Sequence, residues 1–329
     1  MTPASKTPGR ASTPQLLIIA LILIIVAILT IHRLGSGPCG ESAPEDTGWF
    51  RSQLCGADVC GTNEAIEGVF VEQMVERGRI LFPVENGRQP MYKPPLFHWT
   101  ALAIDRVFGI GRVTAFNLRL PSAAYAVAAA ALTIAFVATR FDPATGIIAG
   151  LVLAGSYQYI GQGRDGRVDM ALTFCEALAL FAFLWWLPAK SRPPGKSYGD
   201  ARETALRYLF AIALGLGVLA KGPVGAILPG AAILIFLLVE RRFVAVIKSF
   251  IPGPAIVAIL IGASWYLACY AGGRYGFLNR QLASENFGRF FGGLGVMPPW
   301  YYLKPLFLNS APLSLISPIA VIVALWVRR

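Results

Sequence analysis

Charge is scarce in this chain. Only 14% of its 329 residues are Asp, Glu, Lys or Arg, and 55% are hydrophobic. A soluble domain carries about 25% charged residues, so a single aqueous core is excluded and lipid must be part of the solvent. Acidic residues are the scarcer sign: 18 against 29 basic, a formal net charge of +11. In a soluble protein that excess would suggest nucleic acid. Here no basic, aromatic-interleaved domain exists to hold a strand, and the basic residues cluster between apolar runs, as they do in cytoplasmic loops. Only two histidines occur, and neither accompanies Cys39, Cys55 and Cys60 with ligand spacing, which argues against a zinc site. If that polar segment lies outside the cytoplasm, two of the three cysteines can form a disulfide and leave one over. Cys175 and Cys269 sit in apolar runs and read as packing residues. No convincing internal repeat is present, which argues against a transporter.

What is present is a series of apolar spans. The first, Gln15 to Ile31, follows Lys6 and Arg10, which places the N-terminus in the cytoplasm. It lacks a small-residue cleavage site and further spans follow, so it reads as an uncleaved helix rather than a signal peptide. Later spans run over Leu120–Thr139, Ala144–Ile160, Met170–Leu187, Ala205–Ala220, Val224–Val239, Ile251–Cys269 and Leu306–Val327, which makes eight. The expected organisation is one transmembrane domain over 1–329, with 1–14 cytoplasmic, 15–33 the first span, 34–119 an outer loop and 120–329 the other seven spans. Pro94 to Gly109 is ambiguous: 16 residues, holding Asp105 and Arg106. Counted as a span, it would put the basic loops outside. It therefore reads as a helix at the outer interface.

This topology leaves cations on the side that should be poor in them. Arg164 and Arg167 sit in GQGRDGRVDM, Lys221 in LAKGP, and Arg274, Arg280, Arg289 and Lys304 between Ala271 and Pro305. Singly, each is best explained by a local carboxylate such as Asp165, Asp169 or Glu285, or by a lipid headgroup. Together they suit an anionic ligand such as a phosphate or pyrophosphate. At Lys221, Gly222 and Pro223 break the helix, so backbone amides and an ammonium can face a ligand together. Among the acids, Glu64 and Glu67 lie on an amphipathic helix with Val69, Phe70, Met74 and Val75 near one face. Asn63 is placed to cap that helix, and the dipole would favour Glu64 in its first turn. Asp169 opens the fourth span, two residues after Arg167. It reads equally as an ion-pair partner and as a metal ligand, a base or an acceptor for a sugar hydroxyl.

The stretch GRILFPVENGRQPMYKPPLFHWTALAIDRVFG…LRLPSA resembles the start of bacterial membrane glycosyltransferases of the GT-C type, which include the lipid A aminoarabinose transferases and relatives of protein O-mannosyltransferases. Further matches follow in order: GRVDMALTF, GLGVLAKGPVGAILP, SWYLACYAGGRYGFLNRQLASENFGRFFGG and PPWYYLKPLFLNSAPLSLISP. They cover the chain from about Glu64 to its end. The resemblance implies an all-α polytopic bundle of GT-C type, with a long first outer loop carrying juxtamembrane helices. It also implies transfer of a sugar from a polyprenyl-phosphate carrier to a lipid or protein acceptor on the outer face of a bacterial inner membrane. The lysine of the family's KPP motif matches Lys93, and its aspartate after the third span matches Asp169. The family's first-loop acidic pair reads Asn63-Glu64 here, so its first acid is an amide. Tyr92 stands where aminoarabinose transferases often carry Glu. Glu285 stands at their late-loop His, beside Asn286 and Arg289. This chain also ends earlier than the family usually does.

The mechanism expected from this reading assigns Glu64, or less directly Asp169, to activate the acceptor. Lys93, Arg167, Lys221 and Arg289 hold the donor phosphate, and an apolar groove takes the lipid tail. A divalent metal is left open, with Glu285 and Asp169 as the ligands it would use. The rival is a non-enzymatic carrier or lipid-binding subunit that kept the fold. A reporter enzyme fused within the Lys190–Arg207 loop is expected to be active only on the cytoplasmic side; activity outside would overturn this topology.

Overall fold

The computed structural model describes residues 11–32, 62–85, 89–187, 201–241, 252–288 and 298–303, with isolated positions between 307 and 326. Cys39, Cys55, Cys60, Arg289, Lys304 and most of the expected last span lie outside the described residues. The architecture is the expected all-α polytopic bundle. Helix α1 (Thr13–Ile31) opens on a capping box in which the Ser12 amide donates to Gln15 Oε1 at 2.9 Å. Five helices are long and apolar enough to cross a membrane: α1, α4 (Ala115–Arg140), α7 (Asp169–Trp186), α8 (Ala201–Lys221) and α10 (Gly253–Ala271). Two shorter apolar helices, α5 (Pro143–Gly155) and α9 (Val224–Val239), lie between them. The segment between α1 and α4 contributes α2 (Thr62–Arg77), α3 (Leu96–Phe108) and a two-residue antiparallel ladder, β1 (Val84–Glu85) with β2 (Gln89–Pro90).

Three boundaries differ from the sequence reading. The expected span Ala144–Ile160 is not continuous: α5 ends at Gly155, Ser156 is extended, and α6 (Tyr157–Gly163) starts anew. The span expected from Leu120 begins instead at Ala115, where the Thr114 side chain accepts from the Asn117 amide. Arg119 is thereby carried off the loop and into α4, where it is buried. Asn63 does not cap α2, because the helix already includes Thr62; it is an exposed residue of the first turn. The ambiguous stretch forms α3, 13 residues ended by Gly109 with φ +63°, a conformation that L side chains rarely adopt. It is not among the helices long enough to span.

Packing places the loop helices on one end of the bundle. Phe70 and Met74 of α2, with Met91 and Tyr92, share a buried cluster with Leu219 of α8 and Trp265 and Cys269 of α10. The Trp265 indole N–H donates to the Leu81 carbonyl at 3.0 Å, which ties the loop to α10. A second cluster joins Val71, Phe97 and Ala101 to Leu118, Val168, Ala171 and Ala220. Small residues let the spans approach closely. At the crossing of α8 and α9, a Cβ on Gly225 would lie 2.1 Å from the Gly217 carbonyl oxygen, whereas one on Gly230 would meet nothing within 4 Å. Gly225→Ala should therefore lower the unfolding temperature in detergent, by the equivalent of about 1–3 kcal/mol of overpacking. Gly230→Ala should leave it unchanged or raise it.

Candidate active site

The site grows from α2. Its face turned into the protein carries two acids, Glu64 and Glu67, both nearly inaccessible. A buried carboxylate persists only when paired and hydrogen-bonded. Glu64 is gripped by Arg119 of α4, whose Nε and Nη2 donate to Oε1 and Oε2 at 2.6 and 2.8 Å. The Gly166 amide, in the turn before α7, also donates to Oε1 at 2.9 Å. A Cβ on Gly166 would stand 2.8 Å from Leu118 Cγ and 2.9 Å from Glu64 Oε1, so only glycine admits this approach. Glu67 accepts from the Tyr92 hydroxyl at 3.0 Å and lies 2.7 Å from His98 Nε2. Burial, then the charge and hydrogen bond of Glu67, push the Tyr92 phenol well above its ordinary pKa. The Tyr92 ring carries two cations, Lys93 at 5.1 Å and Arg280 at 5.5 Å, within the range of cation–π attraction.

Pinned by Glu64, the turn Arg164–Val168 presents Asp165 and Arg167 beside the first residue of α7, Asp169. Arg167 reaches Asp169 at 3.5 Å and Asp165 at 3.6 Å. Lys221, the last residue of α8, closes on Asp169 Oδ1. Lys93 pairs with Glu285 at 3.0 Å, linking the KPP motif to the π-helical segment Asn279–Gly288. Lys93 is also near enough to Asp169 to act on its charge. Burial and the negative charge of Glu64 push the Asp165 carboxyl up to about 6.

Beyond Lys221 the chain turns at Gly222, φ +91°. A Cβ there would strike Gln281 Nε2 at 2.2 Å and Asn286 Nδ2 at 3.2 Å. The Tyr266 hydroxyl donates to Gln281 Oε1 at 2.9 Å, and Asn286 Nδ2 donates to the Gln281 carbonyl at 2.6 Å. Next to this turn opens an apolar groove of about 410 Å³, lined by residues such as Pro223, Ala226 of α9, Val218 of α8, Ile259 and Gly262 of α10, and Leu282.

Of the residues singled out in the sequence, the structure brings Lys93, Arg167, Lys221, Asp169, Glu285, Asn286 and Tyr92 to one end of the bundle. Glu64 stands apart from them in role: both its oxygens are held by Arg119 and Gly166. Asn63, its neighbour, is exposed. Arg289 lies outside the described residues. Glu285 and Asp169, expected as ligands if a metal binds, each face a lysine, and no three His, Cys, Asp or Glu gather into a metal site among the described residues. Sequence reasoning missed Arg119, taken as the end of a loop, and the Glu67–His98 contact. The available signal was that LRLPSA and KPPLFHW both lie in the stretch carrying the family resemblance, and that His98 is one of only two histidines.

Helices of the segment between α1 and α4, folded onto one end of a bundle of apolar helices, make up a GT-C fold, and superposition on solved structures shows the same fold. The crystal structure of ArnT from Cupriavidus metallidurans bound to undecaprenyl phosphate matches with TM-score 0.73 at 18% identity, over 94% of this chain and 50% of that one. The sugar-donor-bound protein O-mannosyltransferase Pmt1-Pmt2 complex of S. cerevisiae matches with TM-score 0.52 at 17% identity, over 81% of this chain and 34% of that one. Residues 92–267 match the dolichyl-phosphate-mannose-protein mannosyltransferase family, and the chain belongs to it. Among curated relatives, an undecaprenyl phosphate-alpha-4-amino-4-deoxy-L-arabinose arabinosyl transferase of Pseudomonas paraeruginosa is 29% identical over 76% of this chain and 44% of its own length. An uncharacterized protein of Aquifex aeolicus is 27% identical over 81% of this chain and 50% of its own length. The chain thus spans about half the length of the curated relatives it matches.

Removing one partner of a buried ion pair leaves the other charge unpaired, at about 3–5 kcal/mol. Arg119→Met and Glu64→Gln should each lower the unfolding temperature sharply. The double variant should lose less than the sum of the two, a coupling that a double-mutant cycle in detergent reads directly.

Proposed function

We propose that the chain transfers a sugar from a polyprenyl-phosphate-linked donor to a lipid or protein acceptor at the outer face of the bacterial inner membrane. The supporting observation is the convergence of Lys93, Arg167 and Lys221, brought from three separate segments, around Asp169 beside an apolar groove. A polyprenyl phosphosugar is a phosphodiester with one negative charge. When the bond from its phosphate oxygen to the anomeric carbon breaks, the departing monoester gains a second. Three cations held in place by Glu285 and Asp169 favour that later charge over the starting one, which is what a transition-state stabiliser must do. The groove beside Pro223 gives the lipid tail an apolar lodging a few residues from Lys221. In this reading 34–119 is an outer loop, and Lys93, Arg167, Asp169, Lys221 and Glu285 all face the outer side.

The second reading, a lipid-binding subunit without transfer activity, is favoured by Asn63, an amide where the family's first acid stands. The donors to test follow from the names of the relatives: undecaprenyl-phosphate aminoarabinose and dolichyl-phosphate mannose. In proteoliposomes with either donor, Lys93→Ala and Asp169→Ala should each reduce transfer by about 100-fold or more while protein levels hold. Wild-type-like turnover in both variants would sink this assignment of the site. Retained undecaprenyl-phosphate binding with no transfer to any acceptor would favour the second reading.

A further inference from the structure

Transfer to a hydroxyl acceptor needs a group to take its proton, and the described carboxylates of the site differ in how far they are already engaged. Glu64 accepts three hydrogen bonds over its two oxygens and is buried. Glu67 is buried and bound on both oxygens, by Tyr92 and His98. Asp169 holds Lys221 on one oxygen and Arg167 on the other. Glu285 holds Lys93. Asp165 is different. Among the described residues its carboxylate pairs only with Arg167, at 3.6 Å, beyond hydrogen-bond length, and about a third of its side chain (32%) is exposed. Its position is nonetheless firm, because the next residue, Gly166, is bonded through its amide to Glu64. The amide of Asn63 cannot serve as a base.

We propose that Asp165 is the general base of the transfer reaction. This rests on the transferase reading above. In the step, the acceptor hydroxyl oxygen forms a bond to the anomeric carbon while the bond from that carbon to the phosphate oxygen breaks. The electron pair leaves with the polyprenyl phosphate, beside Arg167, Lys221 and Lys93. The hydroxyl proton passes to an Asp165 oxygen and then to water. Glu64 and Arg119 then act as positioning residues: their ion pair fixes the turn that carries the base.

The charged groups that act on Asp165 are Glu64 from α2, Arg119 from α4, and Arg167 and Asp169 from its own segment. Burial and Glu64 outweigh the two arginines, so a carboxyl that titrates at about 6 is largely ionised at neutral pH and still basic enough to accept a proton. Above that value Asp165 is charged and competent. As pH falls through it, Asp165 takes up a proton and turnover falls with it.

The test compares wild type, Asp165→Asn and Asp165→Glu in proteoliposomes, with undecaprenyl-phosphate aminoarabinose and dolichyl-phosphate mannose as donors and undecaprenyl phosphate as a binding probe. The expected result is that Asp165→Asn binds undecaprenyl phosphate at least as well as wild type, since Arg167 loses a competing carboxylate. Its kcat should fall about 100-fold or more with KM for the donor unchanged, the acid limb near pH 6 should vanish, and Asp165→Glu should recover most of the rate. Turnover of Asp165→Asn within a few-fold of wild type, with the limb intact, would overturn the base assignment alone. So would loss of undecaprenyl-phosphate binding in that variant, which would mark a structural role. Wild type that binds the probe but turns over neither donor overturns the transferase reading, and the base falls with it.

Discussion

The Glu64 carboxylate ties together three parts of the chain that are far apart in sequence. It faces inward from the first turn of α2, receives the fork of Arg119 from α4, and accepts the amide of Gly166 from the turn before α7. A bidentate guanidinium–carboxylate pair is directional as well as strong, so it sets distance and orientation together. The turn it fixes carries Asp165 and Arg167 and ends at Asp169. Asp169 in turn receives Lys221, and Lys221 ends the helix against which α9 turns. The charged end of the bundle thus hangs on one buried pair, while the apolar spans below supply the platform.

The second support is aromatic. Tyr92 is clamped to Glu67 through its hydroxyl and offers its ring to Lys93 and Arg280. Next to the lysine of its KPP motif this chain has a phenol whose acid partner sits one helix away. The charge near Lys93 is then supplied through a ring and by Glu285, rather than by an adjacent carboxylate. Such an arrangement sets how tightly the lysine is held.

Much of the fold was legible in the sequence because the bilayer imposes a simple code. Apolar length located most of the described apolar helices to within a few residues. The break at Ser156 was not legible, since GSYQYIG is apolar enough to read as continuous helix and the interruption is a backbone event. Arg167 and Lys221 were legible because they stand in short loops expected to be poor in cations, and Lys93 because it belongs to the KPP motif of the family resemblance. Arg119 was not: from spacing alone it looks like the last residue of a loop, and only the extension of α4 back to Ala115 shows that it turns inward. The unequal engagement of the carboxylates was out of reach as well, since it depends on which lone pairs are filled rather than on which residues are present.

The short helices carry a consequence for the membrane itself. Helix α5 has 13 residues and α9 has 16, rises of about 20 and 24 Å, against about 30 Å of hydrocarbon. Both present large apolar side chains outward, Ile148 and Leu151 on α5, Ile227 and Ile235 on α9. They pack on different neighbours, α5 on α1 and α4, α9 on α8 and α7. A helix of such length that crosses alone is matched by local thinning of the bilayer, at fractions of a kcal/mol per ångström. Helix α6, which follows α5 after Ser156, adds length on that flank, so any sensitivity to acyl-chain length falls on the α9 side.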